Sequence, residues 1–234
     1  LLVDFTQRSY ELELLDRDDH SFEAIKQNMQ ELDVINSWLG GHKITLCGIQ
    51  FFLSTIKAQG SVLICEVGCG GGDNLRAVMN WCKKNSIKAE FIGIDLNPNC
   101  VNYARSRPEN AGIQFICSDY SKVTFTKKPD VIFSSLFTHH FRDEAILEIF
   151  KWMGANSNYG FFINDLHRHP IAYYFIKFAT QLFSKSSLVK NDAPLSVRRG
   201  FISGELRDLL TKASVKSYML KWKWAFRWLI IARS

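Results

Sequence analysis

The sequence predicts an α/β fold built on a mostly parallel, doubly wound sheet, and three observations predict it. Short apolar runs alternate with amphipathic stretches between Ser61 and Asn164. A glycine-rich turn, Gly68 to Gly72, directly follows the first run. Two later runs lead straight into an acid, Asp95 and Asp119. Strand, helix, strand in succession is the pattern of a parallel sheet with helices on both faces.

The elements follow in order. Ser21 is placed to cap a helix with apolar positions Phe22, Ile25, Met29, Leu32 and Ile35, and Gly40-Gly41 ends it. A second apolar helix is expected from about His42 to Gln59, stopped by Gly60. Ser61–Val67 is a short apolar run, as a strand covered on both faces requires. A helix over Asp73–Lys84 and a strand over Phe91–Ile94 come next. Asn97-Pro98 then opens a helix through Arg107, with proline pre-set for the first helical position. Ile113–Cys117 and Asp130–Ser134 read as the third and fourth strands. Asp143–Met153 is helical, with Ile146, Ile149, Phe150 and Met153 on one face, and Tyr159–Asn164 is the fifth strand. Ile171–Phe183 is an aromatic helix, apolar on most faces and therefore expected to be buried. A polar stretch runs on through Gly200. Ser203–Ala213 is amphipathic, with Leu206, Leu209 and Leu210 inward, and Val215–Trp224 with Phe226–Ala232 reads as a closing hairpin.

The length of 234 residues suits one α/β domain with an added cap better than two full domains. Hydrophobic residues at 47% support a sizeable core, and 18 Phe with 6 Trp make that core aromatic or line an apolar pocket. The net charge of +6 is mild and scattered, so it permits an anionic partner without demanding one. The six cysteines form no Cys-x-x-Cys pair and no Cys/His block of zinc spacing; they read as reduced thiols of a cytoplasmic protein. Leu1 to Asp19 alternates charges instead of carrying the apolar core of a secretion signal. No apolar stretch is long enough for a membrane span, which leaves a weak interfacial contact through Ile171–Phe183 as the only membrane reading.

The central motif is Glu66-Val67-Gly68-Cys69-Gly70-Gly71-Gly72, between a strand and a helix. Glycine there tolerates positive φ and lets a ligand lie against the backbone, and the helix N-terminus offers unpaired N–H groups. A dinucleotide fingerprint would need its third glycine at position 73, which is Asp, and an aspartate would repel a pyrophosphate. No Lys-Ser/Thr follows, which excludes a P-loop. Asp95, in Gly93-Ile94-Asp95-Leu96-Asn97, is placed to accept both hydroxyls of a ribose. Asp119, in Cys117-Ser118-Asp119-Tyr120, can accept from an adenine amino group. Both acids fall at the strand ends where open α/β sheets bind ligands.

On these residues the chain resembles class I S-adenosylmethionine-dependent methyltransferases, over roughly residues 60–234. The closer resemblance is to the small-molecule branch of ubiquinone/menaquinone-type and polyketide O-methyltransferases. It implies a Rossmann-like, seven-stranded sheet of order 3-2-1-4-5-7-6, with strand 7 antiparallel. It makes residues 1–60 an N-terminal helical cap and 61–234 the methyltransferase domain, with a helical substrate-cap insertion at 170–200. It implies S-adenosyl-L-methionine as cofactor, with Glu66, Gly68, Gly70 and Gly72 facing its methionine part. Asp95 would hold the ribose, Leu96 would pack on adenine, and Asp119 with Tyr120 would contact the adenine edge. Ser134 and Ser135 would lie near the methionine end.

Methyl transfer from a sulfonium is an in-line displacement that needs alignment and exclusion of water. An oxygen acceptor also benefits from a base, and imidazole is suited to that near neutral pH. His139 and His140 follow the fourth strand, where substrate would approach, and His167 with His169 follows the fifth. His140 is the leading candidate, ahead of His139 and His167. No metal is expected, since these histidines lack the tight pairing of zinc sites. Asp165 and Arg168 read equally as a substrate clamp or a loop ion pair, and Arg198-Arg199 as an anion anchor or a simple cap. The acceptor implied is small and apolar or aromatic. The absence of Asn-Pro-Pro-Tyr and Pro-Cys motifs argues against methylation of nucleic-acid bases. A ribose methyltransferase and a non-catalytic S-adenosylmethionine-binding protein are the alternatives.

Overall fold

The computed structural model describes residues 3–16, 20–56 and 60–233. Strand β1 (Val62–Val67) is central and buried at all six positions, as its apolar run demands. Around it lie β2 (Ala89–Asp95), β3 (Ile113–Cys117), β4 (Val131–Ser135), β5 (Gly160–Leu166), β6 (Tyr218–Lys223) and β7 (Arg227–Arg233). The sheet order is β3-β2-β1-β4-β5-β7-β6. The pairs among β1 to β5 are parallel, whereas β7 runs antiparallel to β5 and to β6. This is the Rossmann-like arrangement that the sequence resemblance implies.

Helices α1 (Phe22–Trp38), α2 (Gly41–Leu53), α3 (Asp73–Lys84), α4 (Pro98–Ser106) and α5 (Asp143–Asn156) precede α6 (Pro170–Phe183), α7 (Ser187–Arg199) and α8 (Ser203–Lys212). Local chemistry sets their starts. The Ser21 side chain accepts from Ala24 N at 3.3 Å, and Asn97 Oδ1 accepts from Asn99 N at 2.9 Å ahead of α4. Alternate strand residues feed opposite cores. Phe133 and Phe162 stack at 4.9 Å beneath α2 and α3, while Phe150 and Phe161 meet at 5.9 Å beneath α5 and α8. Smaller clusters join α1 to α4 and α7, and α6 to α7, forming a roof beyond the C-terminal ends of the parallel strands.

Three expectations need correction. The stretch read as polar before Gly200 is helix α7, capped by Ser186, with Leu188, Val189, Leu195 and Val197 buried. Pro194 and the Lys190–Asp192 run hide this periodicity. Helix α6 is not buried on most faces: Ala172, Tyr173, Ile176 and Thr180 face inward, while Tyr174, Phe175, Phe178, Leu182 and Phe183 are exposed. An apolar composition measures what a helix can bury, and here only one neighbouring face is there to receive it. Helix α2 ends at Leu53, where the Ser54 and Thr55 hydroxyls donate to the carbonyls of Phe51 and Phe52. Its expected end, Gln59, lies outside the described residues. Among the described residues, no helix is long and apolar enough to cross a membrane.

Phe162 is fully buried between the sheet and α2, so Phe162→Ala should cost about 3–5 kcal/mol in urea unfolding. Phe178→Ala, at a position 67% exposed, should stay within about 0.5 kcal/mol of the parent.

Candidate active site

The chain leaves β1 through a turn that only glycine can make. Gly68 has φ +69°, and a Cβ there would come within 2.1 Å of the Phe137 ring. The turn is fastened to the end of β2: Gly68 N and Cys69 N donate to Ile94 O at 2.8 and 3.1 Å. Gly70 N donates to Asp95 Oδ2 at 2.8 Å, and Asn97 N to Asp95 Oδ1 at 2.9 Å. Two backbone donors thus fix the Asp95 carboxylate, and each of its oxygens keeps a further lone pair for a ligand hydroxyl. Burial raises its pKa.

Beyond this turn is a cavity of about 760 Å³, bounded by the ends of β1, β2 and β4, by α1, α6 and α7, and by the segment before α1. That size suits a ligand pocket for small molecules. Its walls include Gly68, Gly70, Asp95, Leu96, Asp119, Tyr120 and Ser135. Tyr120 stands edge-on to Phe137, ring centroids 6.4 Å apart. Asp119 accepts from Ser121 N and Oγ, each at 2.9 Å, which lowers its pKa. Glu66 and Gly72 stand behind the wall. Gly72 caps α3 and packs on Phe115, and Glu66 is buried inside β1. Burial, and then repulsion from Asp73 and Asp95, pushes the Glu66 pKa well up.

Asp73 lines the cavity, and its Oδ2 has no hydrogen-bond partner among the described residues. With Asp95 it places two carboxyl groups at this end of the cavity.

His139 and His140 also line the cavity. His139 is 2% exposed, and its Nδ1 lies 2.6 Å from Asp165 Oδ1. Asp165 also accepts from Thr138 Oγ1 at 2.5 Å and His139 N at 3.2 Å. Burial opposes charge on both partners, but their mutual attraction wins: Asp165 is held low and His139 is raised to about 9. Glu13, 3% exposed, reaches the same place from the N-terminal segment. Its Oε1 accepts from Ser196 Oγ at 2.7 Å and lies 3.5 Å from His139 Nε2, while its Oε2 lies 3.8 Å from His140 Nε2. Burial would raise the Glu13 pKa, yet His140, His139 and Ser196 bring it down to about 2. His140 Nδ1 lies 3.2 Å from Asp16.

The structure separates other residues that the sequence grouped together. His167 is away from the cavity wall: its Nδ1 accepts from Trp222 Nε1 at 3.2 Å, and its ring packs on Trp228 at 5.1 Å. Arg168 pairs with Glu205 at 2.6 Å and donates to Gly200 O, so it does not clamp with Asp165. Arg199 donates to the carbonyls of His139 and His140 at 3.2 and 2.5 Å. Glu13 and Asp16 had no signal in the sequence, since both lie in a stretch read as polar and far along the chain from position 139; Ser196, in the Ser196–Gly200 segment read as an anion anchor or a cap, instead donates to Glu13.

Residues 64–155 match a family model described as a methyltransferase domain. No curated protein matches the chain. Among solved structures, the plantazolicin methyltransferase bound to a monoazolic desmethylPZN analog and S-adenosylhomocysteine is 18% identical, with TM-score 0.64; the match covers 94% of this chain and 92% of that one. Human N-acetylserotonin methyltransferase in complex with S-adenosylmethionine is 19% identical, with TM-score 0.65, covering 92% of this chain and 56% of that one. Magnesium protoporphyrin IX methyltransferase from Synechocystis, with bound S-adenosylhomocysteine, is 13% identical, with TM-score 0.55 and 83% of each chain covered. The chain therefore has the fold of class I, S-adenosylmethionine-dependent methyltransferases, and its residues 64–155 are similar to a methyltransferase domain.

Gly68→Ala should destabilise the protein by at least about 1–2 kcal/mol, the usual cost of a side chain in left-handed backbone, before the Phe137 clash is added. Gly204→Ala, inside α8 with nothing within 4 Å of the new Cβ, should instead stabilise by about 0.5–1 kcal/mol in the same urea titration.

Proposed function

We propose that the protein transfers a methyl group from S-adenosylmethionine to a small, apolar or aromatic acceptor, at oxygen, inside this cavity. The observation that carries the reading is the Asp95 carboxylate, clasped by Gly70 N–H in the same cavity that His139 and His140 line. Asp95 would hold the ribose hydroxyls, with Leu96, Asp119 and Tyr120 around the base. The glycine turn would receive the methionine part, with Ser135 beside it and Glu66 and Gly72 supporting from behind. The acidic surroundings favour a sulfonium over a phosphate.

The acceptor would lie between that end and the two histidines. Leu12, Leu15, Met29, Leu32, Phe175 and Ile176 line the intervening space, which suits an apolar body with one polar atom. The solved neighbours named for N-acetylserotonin, a porphyrin and a desmethylPZN analog support a small-molecule or peptide acceptor of this kind. The acceptor's O–H has to lose its proton as the oxygen–carbon bond forms. His140, half-buried with Asp16 on its other nitrogen, is the group assigned to take or orient that hydrogen. His139, wholly buried on Asp165, positions it. His167, away from the wall, has no part in this reading.

Asp95→Ala should abolish S-adenosylmethionine binding measured by calorimetry; undiminished binding would sink the assignment. His140→Ala should lower kcat by about 10²–10⁴-fold while changing cofactor affinity less than tenfold. The check is S-adenosylhomocysteine release with a panel of phenols, quinols and polyketide acids, and equal turnover would remove His140 from the chemistry.

A further inference from the structure

We propose that Glu13, His139 and His140 bind one divalent, first-row transition-metal ion of the zinc type at the acceptor end of the cavity. Both imidazoles turn the same nitrogen toward one carboxylate. His139 Nε2 lies 3.5 Å from Glu13 Oε1, and His140 Nε2 lies 3.8 Å from Glu13 Oε2. The ligand atoms of all three residues lie within 4.8 Å of one another. Ligands on a tetrahedral zinc ion, at about 2.0–2.1 Å from the metal, are separated by about 3.4 Å. The site is therefore close to its liganded size.

The other ring nitrogens are arranged as metal-bound histidines require. His139 Nδ1 sits on Asp165 at 2.6 Å and His140 Nδ1 on Asp16 at 3.2 Å, so each imidazole has a carboxylate to fix its tautomer and direct Nε2 inward. Independently, His139 Nε2 is buried and has no hydrogen-bond partner among the described residues. Leaving such a group unsatisfied is unfavourable, and an ion between it and Glu13 removes the penalty.

Charge agrees. Once an ion displaces the His139 Nε2 proton and both imidazoles are neutral, Glu13, Asp16 and Asp165 carry three negative charges, and Arg199, 3.8 Å from Glu13 Oε1, supplies one positive charge. A divalent ion balances the remainder. Two imidazoles and a carboxylate select zinc-like ions over magnesium, which prefers oxygen ligands in an octahedron.

All three residues face the cavity, which leaves a fourth position for an outside ligand, as in catalytic zinc sites. Resting on the methyltransferase reading above, that ligand is the acceptor's oxygen. Bound to the ion, the oxygen gives its proton to water more readily. The O–CH3 bond then forms as the S–CH3 bond breaks, and neutral S-adenosylhomocysteine leaves. His140 then orients that oxygen through the ion, the orienting role given to it above.

The test is to strip the full chain with a chelator, dialyse it and titrate it with Co²⁺, followed by Zn²⁺. The expected result is one equivalent of cobalt with visible absorption bands of a low-coordinate nitrogen site, bleached by zinc and unaffected by magnesium. Glu13→Gln and His140→Ala should each weaken uptake more than tenfold, and Asp165→Asn by about 10–100-fold through the ring it orients. Circular dichroism checks that each variant is folded; should Glu13→Gln unfold, the half-buried His140 position decides. Absence of saturable uptake by the folded parent overturns the proposal, as does uptake undiminished in His140→Ala. Asp95→Ala should keep cobalt while losing S-adenosylmethionine, so failure of the metal site and failure of the methyltransferase reading give different results.

Discussion

The constraint on which the site depends is the parting of the chain at the C-terminal ends of β1 and β4. β1 is followed by β2 on one side and has β4 on the other, so the loops leaving these two strands diverge. The gap between them is held open from both sides. Gly68 presses directly on Phe137, and Gly70 is pinned to Asp95 at the end of β2. On the far side, the turn after β4 presents His139 and His140. Two chemistries thus face each other across a space that topology creates and that no single element spans.

The far side needs help, because a turn carrying two imidazoles exposes backbone carbonyls in a buried place. Two guanidiniums supply donors. Arg8 reaches His139 O at 3.2 Å and Phe141 O at 3.0 Å, and Arg199 reaches His139 O and His140 O. Arg8 is itself held by Asp143 at 2.8 Å and lies over the Phe201 ring at 4.2 Å. The N-terminal segment is fastened to α7 by Leu14 N and Leu15 N, which donate to Asp192 at 2.8 and 2.9 Å. These bonds deliver Glu13 to the histidines. A buried polar network of this kind is stabilising only when every member is satisfied, which is why segment 3–16 and α7 have to dock together.

The parallel sheet, its edge hairpin and the junction of the glycine turn with Asp95 were legible because their signals are local. A buried strand is a short apolar run, a tight turn is glycine, and Asp95 meets Gly70 through the register of two adjacent strands. Helix α7 was hidden because Pro194 and a polar run break its apolar period, although Leu188, Val189, Leu195 and Val197 fall on its buried side. The exposure of α6 was illegible for a different reason: sequence composition gives a helix's capacity for burial, but the number of neighbours it meets is a tertiary fact. His139 and His140 were visible as residues, while Glu13 and Asp16 were not, since no spacing rule joins positions 126 residues apart. Grouping His167 with them followed chain order, and the β5–β7 edge took it elsewhere, against Trp222 and Trp228.

The two ends of the cavity therefore differ in what can disturb them. Asp95 takes its hydrogen bonds from Gly70 and Asn97, both set by strand ends already fixed in the central sheet. His139 and His140 depend on the sheet through Asp165, on α7 through Ser196 and Arg199, and on the N-terminal segment through Glu13 and Asp16. A change in the roof moves the histidine end through several long-range contacts and leaves the glycine turn untouched. Loosening segment 3–16 would remove Glu13 from beside two imidazoles and a guanidinium, leaving the buried Arg199 charge without that counterion. The segment is thus part of the site's electrostatics as well as its cover, and the histidine end is complete only when it is docked.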